Sequence, residues 1–387
     1  MVWAFAIGCG ISDVVSTAPR SALREPVIHE VSCDGSATFT TIDEAIDASH
    51  SGDTIRVAPC SYFGSVDFGG RTIRVESSGG PAVTTVYSTP GKPVLEIDDG
   101  EGPGTAFVGF TLTGGGGVGD PAINVNFSNL RLENTVVLGN QGIQALHSRS
   151  SHTEIVGCTF SQNTGTENIG VYAQRGFLLW KDSHMVCDGL GIGVQISHGG
   201  MVIDGGSWTC PGATAIHNEH SVGRVQRVRV EGVVEIVGEF GGDLTVVENA
   251  LVLGGITADG AELELRNSIV LGGALALGDG VDGIIEGNIF GNGPCAVTGS
   301  TAGWTVRNNN FWDSVDPHCG SAADFVGTND NIAADPLFVD VVAQDVHLSV
   351  GSPSIDTGPV GAEFLDVDGS ANDMGVYGGP FTQAGGW

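Results

Sequence analysis

A short apolar phrase recurs down this chain about every twenty residues, and it limits the possible folds more than any other feature. The phrase occupies 132–140, 247–255, 265–273, 285–292 and 306–312. Repetition at this period indicates an architecture in which each unit buries its apolar side against its neighbours. Within a unit, apolar and polar residues alternate until Gly or Asn interrupts them, which is typical of short strands. The sequence therefore predicts an all-β solenoid.

One segment departs from the strand pattern and predicts a helix. Ile42, Ala45 and Ile46 share one side, and Thr41 stands three residues before Glu44, as in a capping box. The open end of a solenoid exposes unpaired strand edges, which must be covered to prevent aggregation. We therefore expect this helix to cap the N-terminal end.

The repeats suggest one elongated domain with flanking segments. Residues 1–9 look like a truncated export or lipoprotein signal, and 10–32 read as a linker. Residues 33–333 are predicted to form the repeat stack with its N-terminal cap. The pattern changes at 334–387, which we expect to fold back on the last turns as a C-terminal cap.

Several phrases resemble those of the right-handed parallel β-helix superfamily typified by pectate lyases, also called pectin lyase-like proteins. They are similar above all to its bacterial exported, repeat-containing branch. The matching phrases are 37–46 and 52–57 at the beginning, and 335–340, 351–356 and 366–375 at the end. The resemblance implies a right-handed parallel β-helix capped at both ends. It implies no single activity, because the superfamily includes polysaccharide lyases, glycoside hydrolases, pectin esterases and adhesins.

The charge balance is strongly acidic. The 387 residues include 45 Asp plus Glu against 15 Lys plus Arg, for a net charge of -30. Such a surface repels polyanions, so nucleic acids and anionic membranes are poor partners, and a divalent cation would reverse this repulsion locally. Acidity of this kind also keeps an exported protein soluble.

The cysteines fit a disulfide framework. Neighbouring turns of a solenoid lie about 4.8 Å apart, which suits the Cα separation of a disulfide. The expected pairs are Cys33 with Cys60, Cys187 with Cys210, and Cys295 with Cys319. Cys158 is then expected to be a buried thiol. Three bridges favour an oxidising compartment.

The N-terminus favours export to the same compartment. Cys9 follows small residues, as in the lipidation site of a bacterial lipoprotein, although the basic region and most of the apolar core of a signal are missing. A lipid on Cys9 would be the only membrane attachment. We expect a secreted or cell-surface protein of a bacterial envelope, and the sequence leaves its oligomeric state open.

Several of the scarce basic side chains fall at matching places in consecutive central units. We call this set the central stripe, and we expect stacking to align it along one side of the rod with about 4.8 Å per turn. Its members are His147, Arg149, Tyr172, Arg175, Gln195, His198, His217, Glu219 and His220.

The central stripe suggests three classes of function. A lyase acting on uronic acid polymers needs a cation or Arg to neutralise the carboxylate and a base to take the proton. His198, Arg175, His217 and Glu219 are the candidate catalytic residues for a lyase or, through Glu219 with a second acid such as Asp204, a hydrolase.

Non-catalytic contact with a glycan would instead use His147, Arg149, Tyr172, Gln195 and His220. The third alternative is a structural or adhesive rod whose polar corners are only solvated. The leading expectation is an exported carbohydrate-interacting protein with no demonstrable catalytic motif; whether it is an enzyme stays open.

No cofactor is required by this interpretation, and calcium is the one candidate. Asp366, Asp368 and Asp373 form a loop rich in the carboxylates that hard cations prefer. The spacing is not that of an EF-hand, and Asx turns alone also explain it.

Asn134, Asn249, Asn267 and Asn308 occupy the same place in four repeats. Asn tolerates the left-handed backbone conformation that tight turns need. We therefore expect these residues to form turns and to hydrogen-bond to one another along the axis.

Overall fold

The computed structural model describes residues 24–381, except 90, 118, 240–241, 279–281, 315, 321 and 323. The predicted fold class is confirmed, because the chain forms an all-β parallel solenoid of about 13 turns with almost no helix. Cys9 lies outside the described residues, so its lipidation remains an expectation.

Three strands per turn build three faces, which we call A, B and C in chain order. Strands pair in parallel with the equivalent strands one turn away. Face A contains Ile28–Val31, Thr54–Val57, Arg74–Ser77, Ala106–Val108, Asn129–Glu133, His152–Val156, Phe177–Val186, Gly200–Glu219, Val222–Gln226, Leu244–Glu248, Glu262–Arg266, Gly283–Glu286 and Trp304–Arg307.

The strands of faces B and C are also given in chain order. Face B contains Ser61–Phe63, Thr85–Tyr87, Thr111–Thr113, Val136–Leu138, Thr159–Ser161, Arg229–Val237, Leu251–Val252, Ile269–Leu271, Ile289–Gly291 and Asn310–Phe311. Face C contains Val66–Asp67, Leu95–Ile97, Ile123–Asn126, Gln144–Arg149, Ile169–Gln174, Ile192–Ser197, Ile256–Asp259, Leu275–Leu277, Cys295–Gly299 and Asp316–Cys319. Three long strands continue around corners: Phe177–Val186 into face B, Gly200–Glu219 into faces B and C, and Arg229–Val237 into face C.

Left-handed residues form the tight corner between faces A and B. Asn134, Asn249, Asn267 and Asn308 have φ of 48°, 47°, 43° and 52°, as expected from their place in the repeat. Such a residue reverses the chain direction within one step, which a regular strand cannot do.

The hydrogen-bonded ladder, however, runs through the residues that directly follow the left-handed corner residue of each turn, so the predicted stacking was wrong in detail. Its members are Ser268, Asn288, Asn309 and Asn331. The Asn309 Oδ1 accepts from the backbone N and the Nδ2 of Asn288, both at 3.0 Å, and Asn331 repeats this for Asn309. The reason is geometric: a left-handed residue turns its side chain outward, whereas the next residue points into the corner.

The core is a continuous apolar column inside the three faces. Trp180 and Trp208 are fully buried, with ring centroids 5.3 Å apart, and Phe160 packs on Trp180 at 5.4 Å. Burying aromatic side chains of this size contributes much of the stability of a rod whose turns contact only their neighbours.

The one α-helix among the described residues is Ile42–Ala48. Ile42, Ala45 and Ile46 are buried in the main core, as expected. The Thr41 Oγ1 accepts from the Glu44 backbone N at 3.2 Å, which caps the helix. The strand Ile28–Val31 already pairs with Thr54–Val57, so the stack begins inside the segment that the sequence assigned to a linker.

The C-terminal segment folds back along the last turns. An antiparallel pair, Phe338–Asp340 with Asp345–Leu348, begins it. Met374 and Val376 then join a second buried cluster with side chains of face B such as Leu251, Ile269 and Ile289. The outward-pointing corner Asn side chains hold this segment: Asn249 Nδ2 donates to Val376 O and Gly378 O, and Asn267 Nδ2 donates to Asp373 O.

All three predicted disulfides are present. Cys33–Cys60, Cys187–Cys210 and Cys295–Cys319 have Cα separations of 6.4, 4.9 and 5.9 Å. Cys158 is a buried free thiol, and burial raises its pKa to about 12.

Candidate functional site

The central stripe lies on the outer side of face C, where strand register places its members in three adjacent rows. In the first row Asn124, His147, Tyr172, Gln195 and His217 are successive partners. The second row contains Asn126, Arg149, Gln174, Ser197 and Glu219. The third row is the corner toward face A and contains Phe127, Ser150, Arg175, His198 and His220.

Side chains within the first row contact one another along the axis. The His147 ring stacks on the Tyr172 ring, with centroids 5.4 Å apart and an interplanar angle of 8°. The Tyr172 hydroxyl accepts from Gln174 Nε2 at 3.1 Å. Burial lowers the pKa of His147 because it disfavours the charged imidazolium. His147 is therefore neutral at pH 7 and part of a flat aromatic surface.

Several predicted catalytic residues are engaged by neighbours. His217 Nδ1 lies 2.8 Å from Glu235 Oε2, and Gln195 Nε2 donates to Glu219 Oε2 at 3.4 Å. Asp204, the suggested partner acid of Glu219, lies on face A in an ion pair with Arg227. The two carboxylates therefore do not face one substrate as hydrolase acids must.

The corner histidines form a separate pair. The His198 and His220 rings are 5.0 Å apart, and His198 Nδ1 lies 2.8 Å from Ser197 Oγ. His220 Nδ1 is 4.0 Å from Asp243 Oδ2. These histidines extend the polar surface beyond Arg175 along the same corner.

Among the residues that the structure describes, Arg149 and Arg175 are the two arginines with no described carboxylate within 4.0 Å. The arginines that do are Arg24, Arg56, Arg71, Arg74, Arg131, Arg224, Arg227, Arg229, Arg266 and Arg307. Arg149 pairs in register with Gln174, the residue before Arg175, so the two guanidinium groups project from successive turns. Two such cations without an acidic partner, on a chain of net charge -30, are available to an external anion.

Phe127 belongs to the same surface, and sequence reasoning missed it. It begins the corner row, its side chain is 64% exposed, and its φ is 51°. A bulky residue in the left-handed region costs about 1–2 kcal/mol relative to Gly. An exposed aromatic ring at this cost offers a flat apolar platform next to Arg149. The only signal in the sequence was its place one repeat before the other corner residues.

A group of three acids lies on face C before the central stripe, and it too was missed. Ligand oxygens of Asp67, Asp98 and Asp99 lie within 4.8 Å of one another, and among the described residues this is the set that could hold a metal ion. Burial and the neighbouring carboxylates raise the pKa of Asp98. Carboxylates at this separation are the ligands that calcium prefers.

The predicted calcium residues do not assemble in the same way. Asp366 accepts backbone N–H bonds from Gly379 at 2.6 Å and from Asp373, and Asp368 accepts from Ser370. Burial and the nearby Asp373 carboxylate raise the pKa of Asp366 to about 6. These bonds match the alternative explanation by Asx turns, in which the carboxylates organise the C-terminal segment.

Comparisons with known proteins concern the fold. No protein-family model matches the chain, and no curated protein matches its sequence. Among solved structures it is similar to pectate lyase Pel9A, with 12% identity, a TM-score of 0.48, and 92% of this chain and 97% of that chain covered.

Two further solved structures are similar to the chain. An alginate lyase from Paenibacillus sp. has 14% identity and a TM-score of 0.32, with 77% and 99% covered. The A-module of the mannuronan C-5 epimerase AlgE6 from Azotobacter vinelandii has 12% identity and a TM-score of 0.30, with 76% and 94% covered. The activities of these proteins do not carry over, because function resides in sites rather than in folds.

Among the described residues, no helix is both long and apolar enough to cross a membrane.

Proposed function

We propose that this protein binds a carboxylate-bearing polysaccharide along the central stripe of face C. The observation that supports this most directly is that Arg149 and Arg175 have no carboxylate partner in the part of the chain that the structure describes. A guanidinium presents a planar fork of donors that matches a carboxylate with two parallel hydrogen bonds.

The rows suit a chain-like ligand that lies along the axis. Equivalent positions recur about every 4.8 Å, so a polymer meets similar groups at each step. The stacked His147 and Tyr172 rings and the exposed Phe127 ring offer apolar surface for the C–H faces of sugars. Gln174 and Gln195 supply amide groups that can donate to and accept from hydroxyls.

The location that we propose is extracellular or in a bacterial envelope. The three disulfides are compatible with an oxidising compartment. Lipidation of Cys9 would anchor the protein to a membrane and is part of the proposal.

The test is binding of uronic acid polymers, such as polygalacturonate and alginate, measured by calorimetry with neutral polymers beside them. The variants are Arg149→Ala, Arg175→Ala and their combination, with Lys181→Ala as the matched control. Lys181 is an exposed cation on face A without an acidic partner among the described residues.

We expect each arginine variant to weaken binding about tenfold or more, because a charge-assisted hydrogen bond contributes about 1.5–3 kcal/mol. Lys181→Ala should bind like the wild type. Failure of the wild type to bind any uronate polymer, or equal losses in all variants including Lys181→Ala, would refute the site.

A lyase is the second candidate, favoured by the position of the acidic group. Strands Leu95–Ile97, Ile123–Asn126 and Gln144–Arg149 pair in succession, so Asp98 and Asp99 lie two turns before Arg149 on the same face. A divalent cation there would neutralise a substrate carboxylate near the arginines. Unsaturated product that forms with calcium and disappears with a chelator would establish this activity. New reducing ends without unsaturation would indicate hydrolysis, and neither product would leave binding alone.

A further inference from the structure

A cleft lies on face A and is separate from the central stripe. It encloses about 460 Å³, which falls within the range of about 300–1,000 Å³ typical of ligand clefts. Arg74 and Arg131 border it, and Pro103, Ala106 and Leu130 contribute apolar surface.

The cleft exists because one small residue interrupts a row of long side chains. Arg74, Ala106 and Arg131 occupy the same outward position in three successive turns. Ala106 lies between the two arginine positions and is 4% exposed, at the base of the cleft. Any longer side chain at this position would fill the cleft.

The wall of the cleft is held in place by hydrogen bonds. Glu101 is buried and accepts from the backbone N of Gly70 at 2.9 Å and from Ser128 Oγ at 2.9 Å. The next residue, Gly102, donates its N–H to Thr72 Oγ1 at 2.9 Å. The segment that follows is therefore fixed before a ligand arrives, which lowers the entropic cost of binding.

The charges around the cleft are already balanced. Arg74 Nε donates to Glu76 Oε2 at 2.8 Å, and Arg131 donates to Glu133 Oε2 at 2.9 Å and to Glu154 Oε2 at 2.6 Å. Two guanidinium groups thus face three carboxylates, so a free anion gains no net attraction. Of these three carboxylates, Glu154 lines the cleft together with the two arginines, and a sugar hydroxyl can donate to a carboxylate and accept from a guanidinium at once.

An aromatic edge completes the rim. The His152 side chain is 46% exposed, and its ring stacks on Phe177 with centroids 5.2 Å apart. His152 Nε2 also lies 3.2 Å from Glu154 Oε1, which fixes the orientation of the ring. A flat ring beside paired donors and acceptors suits the apolar face of a pyranose.

We propose that this cleft binds a neutral, hydroxyl-rich saccharide unit, such as a side-chain sugar of a branched polysaccharide. The proposal does not depend on the function proposed for face C, because the two sites share no residue. It adds a second specificity: carboxylates are bound on face C and neutral sugars on face A.

The test uses neutral oligosaccharides of galactose, xylose and glucose, with uronate oligomers beside them, measured by calorimetry on the full chain. Ala106→Leu fills the cleft and leaves every charged group in place. Ala276→Leu is the matched control, since Ala276 is an outward-facing residue of face C far along the rod. Overpacking at Ala106 costs about 1–3 kcal/mol, so thermal unfolding accompanies each binding experiment. His152→Ala, which removes a half-exposed ring together with its contacts to Phe177 and Glu154, covers the case in which Ala106→Leu fails to fold.

We expect a neutral oligosaccharide to bind the wild type, and Ala106→Leu to weaken it at least about tenfold. His152→Ala should weaken it as well, whereas Ala276→Leu and the Arg149→Ala/Arg175→Ala double variant should retain it. The proposal is overturned if no neutral saccharide binds, or if neither Ala106→Leu nor His152→Ala changes the affinity. Loss of uronate binding in the double variant with neutral binding intact would show that the sites are independent.

Discussion

Removal of Asn309 should destabilise the C-terminal turns of the solenoid more than any exposed substitution there. Its Oδ1 accepts from the N and Nδ2 of Asn288 at 3.0 Å, and its Nδ2 donates to Ile285 O, Arg307 O and Asn331 Oδ1 at 2.8–3.0 Å. In Asn309→Ala the buried backbone N–H of Asn288 loses its partner, which costs about 1–3 kcal/mol. The small cavity left by the missing side chain adds to this cost, so we expect the free energy of unfolding to fall by about 2–4 kcal/mol.

The measurement is urea unfolding together with hydrogen exchange of the backbone amides. Because each turn contacts only its neighbours, protection should fall first in Gly283–Glu286 and Trp304–Arg307 and much less in the N-terminal turns.

The neighbouring residue provides the control. Asn308 points outward and donates one hydrogen bond, to Thr357 O at 3.2 Å. In Asn308→Ala that hydrogen bond is lost, and Ala adopts positive φ less readily than Asn. We therefore expect the free energy of unfolding to fall by about 1 kcal/mol. Equal unfolding curves for Asn308→Ala and Asn309→Ala, or unchanged exchange in both strands, would show that the internal ladder does not stabilise the turns as argued.

Three further predictions concern other parts of the molecule. Because Asp366 has a pKa of about 6 in the folded chain and a lower one when unfolded, its contribution to stability is present at low pH and lost as pH rises through 6. Asp366→Asn should therefore raise Tm at pH 7.5 in a chelator and lose that advantage near pH 4.5; an equal effect at both pH values would contradict this. In a Cys9→Ser background, burial of the Cys158 thiol should prevent alkylation by iodoacetamide at pH 8 until the chain is denatured, and rapid labelling of the native protein would show the Cys158 thiol to be accessible. Phe127→Gly should relieve the backbone cost of about 1–2 kcal/mol and therefore raise Tm, while it weakens polysaccharide binding. An increase in both Tm and binding affinity, or a decrease in Tm, would refute the assignment of a functional role to a strained residue.

The period of the repeat carried most of what could be predicted. A fixed step places Cys187 beside Cys210 and His147 beside Tyr172 without knowledge of any coordinate, because parallel turns stack in register. The alignment of the central stripe follows from the same step. The left-handed turns were also predictable, since Asn recurs where the chain must change direction.

Partners that come from other turns could not be predicted. Most arginines pair with an acid on an adjacent turn or two residues away, and the sequence does not say which ones lack a partner. The acidic group of Asp67, Asp98 and Asp99 joins residues from two turns of unequal length, so its members do not share one place in the repeat. The Asn side chains that hold the C-terminal segment were assigned to the ladder, because an outward and an inward side chain look alike in sequence.

By itself, then, the sequence determined a capped parallel solenoid, its three disulfides and the alignment of the central stripe. These follow from local spacing, and a periodic fold converts spacing directly into neighbours. Only the tertiary structure decided that Arg149 and Arg175 have no carboxylate within 4.0 Å among the described residues, and that a cleft lies beside Arg74, Ala106 and Arg131. The physical reason is that availability depends on what every surrounding side chain already contacts. The irregular segments between strands, which have no period, supply many of those contacts.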